Sequence, residues 1–525
     1  MADRITPTYA AAAWVFVRLL AIIYLCAFGS LAVQIAGLAG HDGIQPAQLY
    51  MDGARAWAAT EHIGLDRFRV VPTLCWISAS DAFLKALCVG GVVLALLLMA
   101  GIAPIVVLPL LWVDYLSLVV IGREFLAYQW DVLLLETGLL AMGLAPIAWR
   151  DRPRNRIPPS RLAVWLMLWL LFRLMLGSGL VKLASGDPTW RSLTALLYHY
   201  ETQPIPTPPA WYAHQMPAWF HRTSTFATLA IEIAAPFCIF GPRRLRQIAF
   251  GLFIGLQTLI AITGNYAFFN LLAASLCVFL LDDEALRADT WVGSSNLETG
   301  MRADNETGMR RDRPANNRTG PYNREVGADP RVRPMLGRLR HAIVIVVAAI
   351  TFPVSVLAFT NSLGLPLPIA PLVEPIAEFI APFRSVNSYG LFAVMTTTRP
   401  EIVVEGSDDG VTWSAYEFTY KPGDLRRRPP WVAPHQPRLD WQMWFAALSR
   451  YEDEPWFRNF LLRLLEGSPD VRRLLAGDPF DGRAPRYVRA VIYRYRFSDR
   501  ETRRRDGVWW TRERLGEYSP PLSIR

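Results

Sequence analysis

The stretch 160-SRLAVWLMLWLLFRLMLGSGLVKL-183 decides the fold class of this 525-residue chain. An α-helix needs about 20 apolar residues to cross the hydrocarbon core of a bilayer, and this stretch is long and apolar enough to do so. Between Leu162 and Leu183 only Arg173 and Lys182 carry a charge. We therefore predict a transmembrane helix whose two internal cations face protein or a polar cavity rather than lipid.

Eight further stretches of the same kind lie along the chain. Apolar residues make up 52% of the sequence, and charged residues make up 19%, whereas soluble proteins average about 25% charged residues. This composition predicts a membrane all-α bundle of about nine transmembrane helices. The predicted spans are 12–37, 83–100, 103–121, 129–148, 160–183, 224–241, 247–264, 266–282 and 341–361.

The basic residues orient this bundle. Arginine is abundant after the fourth, sixth and eighth predicted spans, with eleven arginines from Arg287 to Arg340, and it is sparse in the alternate loops. By the positive-inside rule, the N-terminus is cytoplasmic and the residues after 361 are non-cytoplasmic. The net charge of +9 is therefore attributed to topology, and nucleic acid is not an expected partner.

Whether the chain is bacterial or eukaryotic decides which compartment lies on the non-cytoplasmic side of the membrane. The chain contains 51 arginines and three lysines, a ratio that we interpret as the codon bias of a GC-rich bacterial genome. In a bacterium the far side is the periplasm or the cell exterior. In a eukaryote it is the lumen of the endoplasmic reticulum.

The chain divides into four parts where its composition changes. The multi-span bundle occupies residues 1–282 and includes the outward loop 184–223. Residues 283–340 are polar and arginine-rich, so we predict a disordered cytoplasmic linker there, because such a composition cannot bury a core. The last transmembrane helix covers 341–361, and residues 362–525 form a soluble α+β domain on the non-cytoplasmic side.

Strand patterns appear in this C-terminal part. Residues 400–420 are predicted to form two strands around a turn at Ser407–Gly410. Residues 487–498 alternate aromatic or aliphatic residues with arginines, which is typical of a half-buried strand. Together these patterns predict an antiparallel sheet.

Helical patterns lie between the predicted strands. Asp440 is a predicted N-cap for a helix over 441–451, Pro455 opens a second helix, and Ser468 opens a third that ends before Gly477. The mixture of helices and an antiparallel sheet is large enough for a core of its own.

Several ionisable residues fall inside the predicted spans. A charge at the centre of a bilayer costs at least ~2.5–3.5 kcal/mol, so such residues should face the bundle interior or a polar cavity. Arg173 and Lys182 are positioned to pair with acids on neighbouring helices, and a functional cavity is the alternative. The intramembrane set is Asp114, Asp131, Glu136, Arg173, Lys182 and Glu232.

The outward loop 184–223 contains the densest group of chemically active side chains. General acid–base chemistry from His199, Glu201, His214 and His221 is one interpretation. A structured aromatic loop that packs on the bundle or contacts a partner is the other. No metal site is expected, because paired histidines at helical spacing are missing. No nucleophile elbow, phosphate-binding glycine loop or cofactor motif occurs, and we expect no cofactor.

Long runs in this loop and in the C-terminal domain resemble the lipase maturation factor family. The runs that carry the resemblance are 182–190, 191–195, 198–204, 219–221, 387–392, 404–407, 420–423, 428–430 and 434–447. The resemblance implies a membrane-embedded factor that helps secreted lipases fold and assemble into dimers, with its C-terminal domain engaging the client.

The resulting hypothesis is a non-catalytic assembly factor in the lipid bilayer with an exported client, possibly a lipase. Its aromatic and polar surfaces would cover apolar surface on a partly folded client. Pro434–Pro437 is turn-like and polar, so we predict that it is exposed. The alternative is a membrane enzyme acting on a lipid or an exported peptide, with its site under the outward loop. The candidate partner-binding residues are Trp190, Arg191, His199, Tyr200, Glu201, Trp219, His221, Trp431, His435, Gln436, Arg438, Asp440 and Trp441.

Overall fold

The computed structural model describes residues 8–153, 156, 158–287 and 332–524, and for 332–339 it describes the backbone alone. Most of the predicted linker therefore lies outside the described residues. The last helix already begins at Val332, within the stretch predicted to be linker.

The N-terminal part is a helical bundle that the last membrane helix joins from across the linker. Its apolar helices share one continuous core of buried side chains. The helices are α1 (Ala10–Ala32), α2 (Ile35–Ala39), α3 (Ala47–Thr60), α4 (Arg67–Val70), α5 (Asp81–Met99), α6 (Pro104–Gly122), α7 (Gln129–Met142), α8 (Arg161–Ala184), α9 (Pro188–Arg191), α10 (Ala195–Thr202), α11 (Pro208–His214), α12 (Ala218–Ala234), α13 (Arg243–Thr263), α14 (Phe269–Leu276) and α15 (Val332–Ser362).

The predicted class of an all-α membrane bundle is confirmed. In the described part of the chain, seven helical segments are long and apolar enough to cross a bilayer. They correspond to seven of the nine predicted spans. The segments are Ala10–Ala32, Asp81–Met99, Pro104–Leu126, Arg161–Ala184, Ala218–Phe240, Arg243–Thr263 and Arg340–Ser362.

The other two predicted spans, 129–148 and 266–282, are shorter helices. Helix α7 has 14 residues and most of its side chains are buried, while the apolar helical segment around α14 runs from Phe269 to Leu280. Apolar helices of this length are typical of buried core segments. Because neighbouring helices surround α7 and α14, they have no need to match the bilayer thickness.

The C-terminal part is an α+β domain with an antiparallel sheet, as predicted. The strands are β1 (Arg399–Ser407), β2 (Ser414–Tyr416), β3 (Tyr487–Phe497) and β4 (Trp510–Leu522), in the order β2-β1-β3-β4. Ile402 of β1 faces Ile492 of β3 in the register of the central pair. The helices are α16 (Ala370–Ile380), α17 (Arg438–Ala446), α18 (Pro455–Leu465), α19 (Pro469–Arg472) and α20 (Arg500–Asp506).

Two helix boundaries in this domain differ from the predictions. Helix α17 begins at Arg438, so Asp440 lies in its first turn rather than at its N-cap. The Asp440 carboxylate instead accepts hydrogen bonds from the backbone N–H groups of Tyr420 and Lys421, each at 2.8 Å. Helix α19 ends at Arg472, well before Gly477.

Ion pairs of arginine lie at one end of the bundle, and the C-terminal domain covers the other end. At the N-terminal end of α1, Asp151 lies 2.8 Å from a guanidinium nitrogen of Arg156 and 3.2 Å from one of Arg18. Arg246 is 3.1 Å from Asp282 at the same end. The C-terminal domain packs against the opposite end, where α1 finishes.

Close backbone contact fixes part of this packing. Helix α2 lies against α19, and a Cβ atom at Gly37 would come within 2.5 Å of the Asp470 carbonyl oxygen. Nearby, the Ser468 hydroxyl donates to the Asp42 carbonyl at 2.7 Å, and Arg463 donates to the Gly43 carbonyl at 2.9 Å. Only glycine allows two backbones to approach so closely.

Candidate functional site

The centre of the junction between bundle and C-terminal domain is an ion pair between Arg438 and Asp131. Arg438 is the first residue of α17, and its guanidinium enters the bundle at the start of α7. It donates to the two Asp131 carboxylate oxygens at 2.9 and 2.8 Å and to the Phe125 carbonyl at 2.6 Å. Both side chains are fully buried.

Aromatic side chains complete the surroundings of this pair. The Tyr115 hydroxyl donates to Asp131, and the Tyr128 ring lies 6.0 Å from the Arg438 guanidinium carbon. The Tyr128 hydroxyl is 3.1 Å from the Arg438 carbonyl oxygen and 2.9 Å from Oε1 of Gln442. A buried ion pair is tolerated only when hydrogen bonds satisfy it in this way. We name the contacts of residues 435–442 with the bundle the docking seam.

The end of α1 contributes polar side chains to the docking seam. The Gln34 side chain donates to the Gln436 carbonyl at 2.8 Å and accepts from the Arg438 N–H at 2.9 Å. The Ser30 hydroxyl accepts from the Gln436 N–H at 2.9 Å and lies 2.9 Å from Nδ1 of His435. The prediction that Pro434–Pro437 is exposed is therefore wrong for Gln436 and Pro437, which are both buried. Ser30 and Gln34 satisfy the Gln436 backbone.

A second ion pair links the bundle to the segment that enters the C-terminal domain. Arg173 of α8 donates to Glu136 of α7, and both side chains are buried. The other Glu136 oxygen accepts from the Asn387 N–H at 3.0 Å and from the Tyr389 hydroxyl at 2.6 Å. Arg173 also donates to the Asn387 carbonyl at 3.0 Å.

The remaining intramembrane charges lie apart from the docking seam. Lys182 donates to both Glu232 carboxylate oxygens at 2.9 and 2.7 Å, and its ammonium lies 5.2 Å from the centre of the Trp190 ring. Asp114 is buried, and its Oδ1 atom has no hydrogen-bond partner among the described residues.

Arg399 of β1 holds the outward loop against the C-terminal domain. Its guanidinium donates to the carbonyls of Glu201 and Pro204, each at 2.7 Å, and also to the carbonyl of Gln203. Glu401 lies two residues further along β1, 2.7 Å from Arg399 and 2.9 Å from the Lys421 ammonium. Arg399, Lys421 and Glu401 are all buried. The outward loop is therefore a fixed part of the interface between the bundle and the C-terminal domain.

The four candidate catalytic residues form three separate sets of contacts. Nε2 of His199 lies 3.1 Å from the Tyr266 hydroxyl. Glu201 accepts from the Phe497 N–H at 2.6 Å and lies 3.6 Å from Nε2 of His214. His221 is buried, and its Nε2 lies 3.0 Å from the Met216 carbonyl. The structure therefore brings Glu201 and His214 together and leaves His199 in a separate contact.

Burial controls the protonation of these loop residues. It lowers the pKa of His199 to about 4, and the nearby charge of Lys182 acts in the same direction. It also lowers the pKa of His214 to about 4, and His221 adds to the shift. Burial raises the pKa of Glu201, against the hydrogen bond from Phe497 and the charge of Arg399. The imidazoles of His199 and His214 are consequently neutral at pH 7.

The other predicted partner-binding residues differ in exposure. Trp190, Tyr200 and Trp441 are buried, and Trp441 packs 4.7 Å from the Trp130 ring. Arg191 is exposed and donates to the Leu183 carbonyl at 3.3 Å. Two tryptophans of the predicted set are exposed: Trp219, with 67% of its surface accessible, and Trp431, with 58%.

Several residues of the site were missed by the sequence analysis. Arg399 and Glu401 were not singled out, although two opposite charges at alternate positions of a strand are a signal for a pair on one face. Gln34 lies near the end of a predicted span, and polar side chains are common there. Asn265 and Tyr128 gave no distinctive signal. Among the described residues no three His, Cys, Asp or Glu side chains converge as a metal-binding group.

These features define a class of protein: a multi-pass helical bundle that holds a folded α+β domain at one end through buried ion pairs. Residues 11–288 match the model of the lipase maturation factor transmembrane domain, and residues 385–520 match that of the lipase maturation factor C-terminal domain. The chain belongs to the lipase maturation factor family.

Curated relatives match along almost the whole chain. Lipase maturation factor 2 of Gallus gallus is 38% identical over 97% of this chain and 81% of its own length. The Homo sapiens protein of the same name is 38% identical over 97% and 82%. Lipase maturation factor 1 of Bos taurus is 35% identical over 97% and 88%. No solved structure matches the chain.

Proposed function

We propose that this chain is a membrane maturation factor that assists the folding or dimer assembly of an exported lipase-like protein. The names of its relatives support a lipase as the client class. The docking seam favours the view that the C-terminal domain is a rigid binding platform, because the buried Arg438–Asp131 pair joins this domain to the bundle. A rigid surface loses little conformational entropy when a client binds.

The observation that carries this proposal is the position of Trp431. Its indole is 58% exposed, whereas the backbone on both sides of it is fixed. The Asn265 side chain donates to the Pro430 carbonyl at 2.9 Å and accepts from the N–H groups of Val432 at 2.8 Å and Ala433 at 3.0 Å. A large aromatic side chain held in solvent by a fixed backbone is typical of a binding contact.

The proposal places the N-terminus in the cytoplasm and the C-terminal domain on the non-cytoplasmic side. Arg156, Arg246 and Arg340 lie at the bundle end opposite to that domain, which agrees with the positive-inside rule. Helix α7 also runs between the two bundle ends, since Asp131 near its start contacts Arg438 and Ala145 just after it accepts from Arg340. Before α14, Tyr266 lies beside His199, and after it Asp283 accepts from the Ala10 N–H. With these two helices the chain crosses nine times, which puts its two ends on opposite sides of the membrane. An exported client would meet the C-terminal domain on the far side.

The contacts of the loop histidines favour assembly over catalysis. His199 and His221 are held by Tyr266 and by the Met216 carbonyl. The Glu201 side chain is held by the Phe497 N–H. These bonds fix the fold of the outward loop, and no observation specifically favours an enzyme.

Replacing Trp431 by alanine tests the proposal. The full chain is co-expressed with a secreted dimeric lipase, and the exported lipase activity per lipase molecule is measured. Loss of a central tryptophan contact costs about 2 kcal/mol or more of binding free energy, which corresponds to roughly a 30-fold weaker complex. We therefore expect Trp431→Ala to reduce the yield of active lipase strongly at limiting levels of the factor.

Trp149 supplies the matched control. It is 76% exposed and lies close to the arginine-rich end of the bundle, where its carbonyl accepts from the Ala103 N–H. Trp149→Ala should leave lipase activity unchanged. Equal lipase yields from Trp431→Ala, Trp149→Ala and the parent chain would contradict the role of Trp431. Equal yields with and without the factor would contradict the proposed function itself.

A further inference from the structure

A groove of about 640 Å³ lies where the outward loop meets helix α20. Its lining combines aromatic rings from α11 and from the residue before β4 with the arginines of α20. The lining residues are Trp211, Tyr212, Arg500, Arg503, Arg504, Gly507 and Trp509. We name it the arginine groove.

The contacts at the two ends of α11 indicate the level of the arginine groove relative to the membrane. At its start, the Thr207 hydroxyl donates to the Ile262 carbonyl at 2.6 Å, at the last turn of the membrane span α13. At its end, the chain enters the membrane span that begins at Ala218. Helix α11 therefore lies between the ends of two neighbouring spans, at the level of the lipid headgroups on the side of the C-terminal domain.

Helix α20 is fixed on top of α11. The side chains of Trp211 and Gln215 both donate to the Ser498 carbonyl, at 3.0 and 3.3 Å. The Arg503 guanidinium lies 3.6 Å from the centre of the Trp509 ring and 4.6 Å from that of Trp211. The arginines of α20 are thereby held close to the ends of the spans.

Two of the three arginines that line the groove have no ion-pair partner among the described residues. Arg500 and Arg504 are exposed, and neither forms an ion pair within the part of the chain that the structure describes. Two of the three neighbouring acids are engaged elsewhere: Asp506 pairs with Arg505 at 2.9 Å, and Asp499 accepts from the Thr502 N–H at 2.6 Å. The third, Glu501, is exposed, so four arginines of α20 and its flanks stand against three acids. The groove therefore presents net positive charge beside aromatic rings.

We propose that the arginine groove binds the phosphate group of an anionic phospholipid in the leaflet on the side of the C-terminal domain. Guanidinium groups match phosphate oxygens in geometry and charge. Tyrosine rings favour the headgroup level of a bilayer, and Tyr212 of the groove is 51% exposed, whereas Trp211 and Trp509 are buried beneath Arg503. A lipid is favoured over an acidic protein segment because α11 lies at that level, where phospholipid is always at hand.

Such a site gives the C-terminal domain a second attachment to the membrane. Helix α15 tethers the domain at its first residues, and the arginine groove would hold α20 near its last strand. The orientation of the domain relative to the bilayer would then depend on the lipid composition of that leaflet.

The test compares two double variants of the full chain in detergent by native mass spectrometry. Arg500→Gln with Arg504→Gln removes the unpaired charges of the groove. Arg458→Gln with Arg514→Gln makes the same change in charge at exposed positions of the same domain. Phosphatidylglycerol is titrated, with phosphatidylcholine as the zwitterionic comparison.

We expect the groove variant to bind phosphatidylglycerol about fivefold more weakly for each arginine removed. The control variant should keep the parent affinity, and all forms should share one thermal unfolding midpoint. An equal loss in both double variants would overturn the proposal, because it would show attraction to overall charge.

Two further arms distinguish the sources of the anion. Inorganic phosphate that displaces phosphatidylglycerol at comparable concentration would identify a site for a soluble anion and overturn the lipid assignment. A polyglutamate peptide that loses affinity in the groove variant, with phosphatidylglycerol binding unchanged, would assign the groove to a protein partner. Lipid binding that depends on Arg500 and Arg504 alone supports the proposal, whatever the lipase experiment shows.

Discussion

The docking seam and the arginine groove lie at the same junction and use the same kinds of side chain in opposite ways. In the docking seam, Arg438 is fully buried and meets both oxygens of Asp131. In the arginine groove, Arg503 is stacked on aromatic rings, while Arg500 and Arg504 remain exposed.

The difference shows how burial separates arginines that hold the fold from arginines that are available for binding. An ion that leaves water loses several kcal/mol of hydration, so a buried arginine needs a carboxylate from its own chain. An exposed arginine has no such requirement and keeps its charge for an external anion. We therefore expect substitutions in the seam to affect stability and substitutions in the groove to affect binding.

The largest expected effect is that of Arg438→Ala. This change leaves the Asp131 carboxylate buried without its cation, which typically costs about 3–5 kcal/mol. We expect the free energy of unfolding of the detergent-solubilised full chain to fall by that amount, with the C-terminal domain becoming sensitive to protease first. Thermal unfolding and limited proteolysis provide the measurements.

The exposed pair Arg450–Asp453 is the control for this change. Its side chains are 78% and 58% accessible, and exposed pairs contribute about 0–1 kcal/mol. Arg450→Ala should therefore have little effect. Replacing both partners of the seam, Arg438→Met with Asp131→Leu, should recover part of the lost stability, because no unpaired charge remains. Failure of Arg438→Ala to destabilise the chain would contradict the role of the seam.

The bundle and the sheet could be predicted from the sequence because their signals are local. A run such as 161–184 carries enough apolar residues to specify a span without reference to the rest of the chain. The same reasoning overextended α7, because the apolar residues 143–148 continue the pattern beyond the end of the helix at Met142. Length alone does not reveal whether an apolar helix faces lipid or protein.

The partners of the charges could not be predicted, because the contacts are distant in sequence. A charge such as Asp131 signals that it needs a partner, but Arg438 lies 307 residues away in the C-terminal domain. For the same reason Gln436 was expected to be exposed. Its position is determined by Ser30 near the end of α1 and by Gln34 in the turn before α2.

Gln34→Ala breaks the seam at its polar edge. It removes the acceptor for the Arg438 N–H and the donor to the Gln436 carbonyl. Unsatisfied buried groups of this kind cost about 1–3 kcal/mol, so we expect a loss of roughly 2 kcal/mol in thermal unfolding. Gln48→Ala is the control, since Gln48 forms an exposed hydrogen bond to Asp52. Equal unfolding midpoints for the two variants would show that Gln34 does not stabilise the seam.

His199 extends the comparison to a half-buried base that lacks a carboxylate. Arg438 keeps its charge because Asp131 accompanies it, whereas His199 has the neutral Tyr266 hydroxyl on one side and the charge of Lys182 nearby. Its pKa is lowered to about 4 in the folded chain and returns to roughly 6.5 on unfolding. The unfolded chain therefore binds more protons between these values, and stability falls as the pH drops from about 6.5 towards 4.

We expect this loss to be about 1 kcal/mol at pH 5.5 and to be reduced in His199→Gln. Thermal unfolding between pH 7 and pH 5 provides the measurement. His41, whose side chain is 82% accessible, is the control, and His41→Gln should retain the pH dependence of the parent chain. An unchanged pH dependence in His199→Gln would mean that the imidazole can take up a proton inside the folded loop. Burial without a neighbouring carboxylate would then not be sufficient to keep a base neutral at this junction. That result would contradict the electrostatic explanation of the difference between the docking seam and the arginine groove.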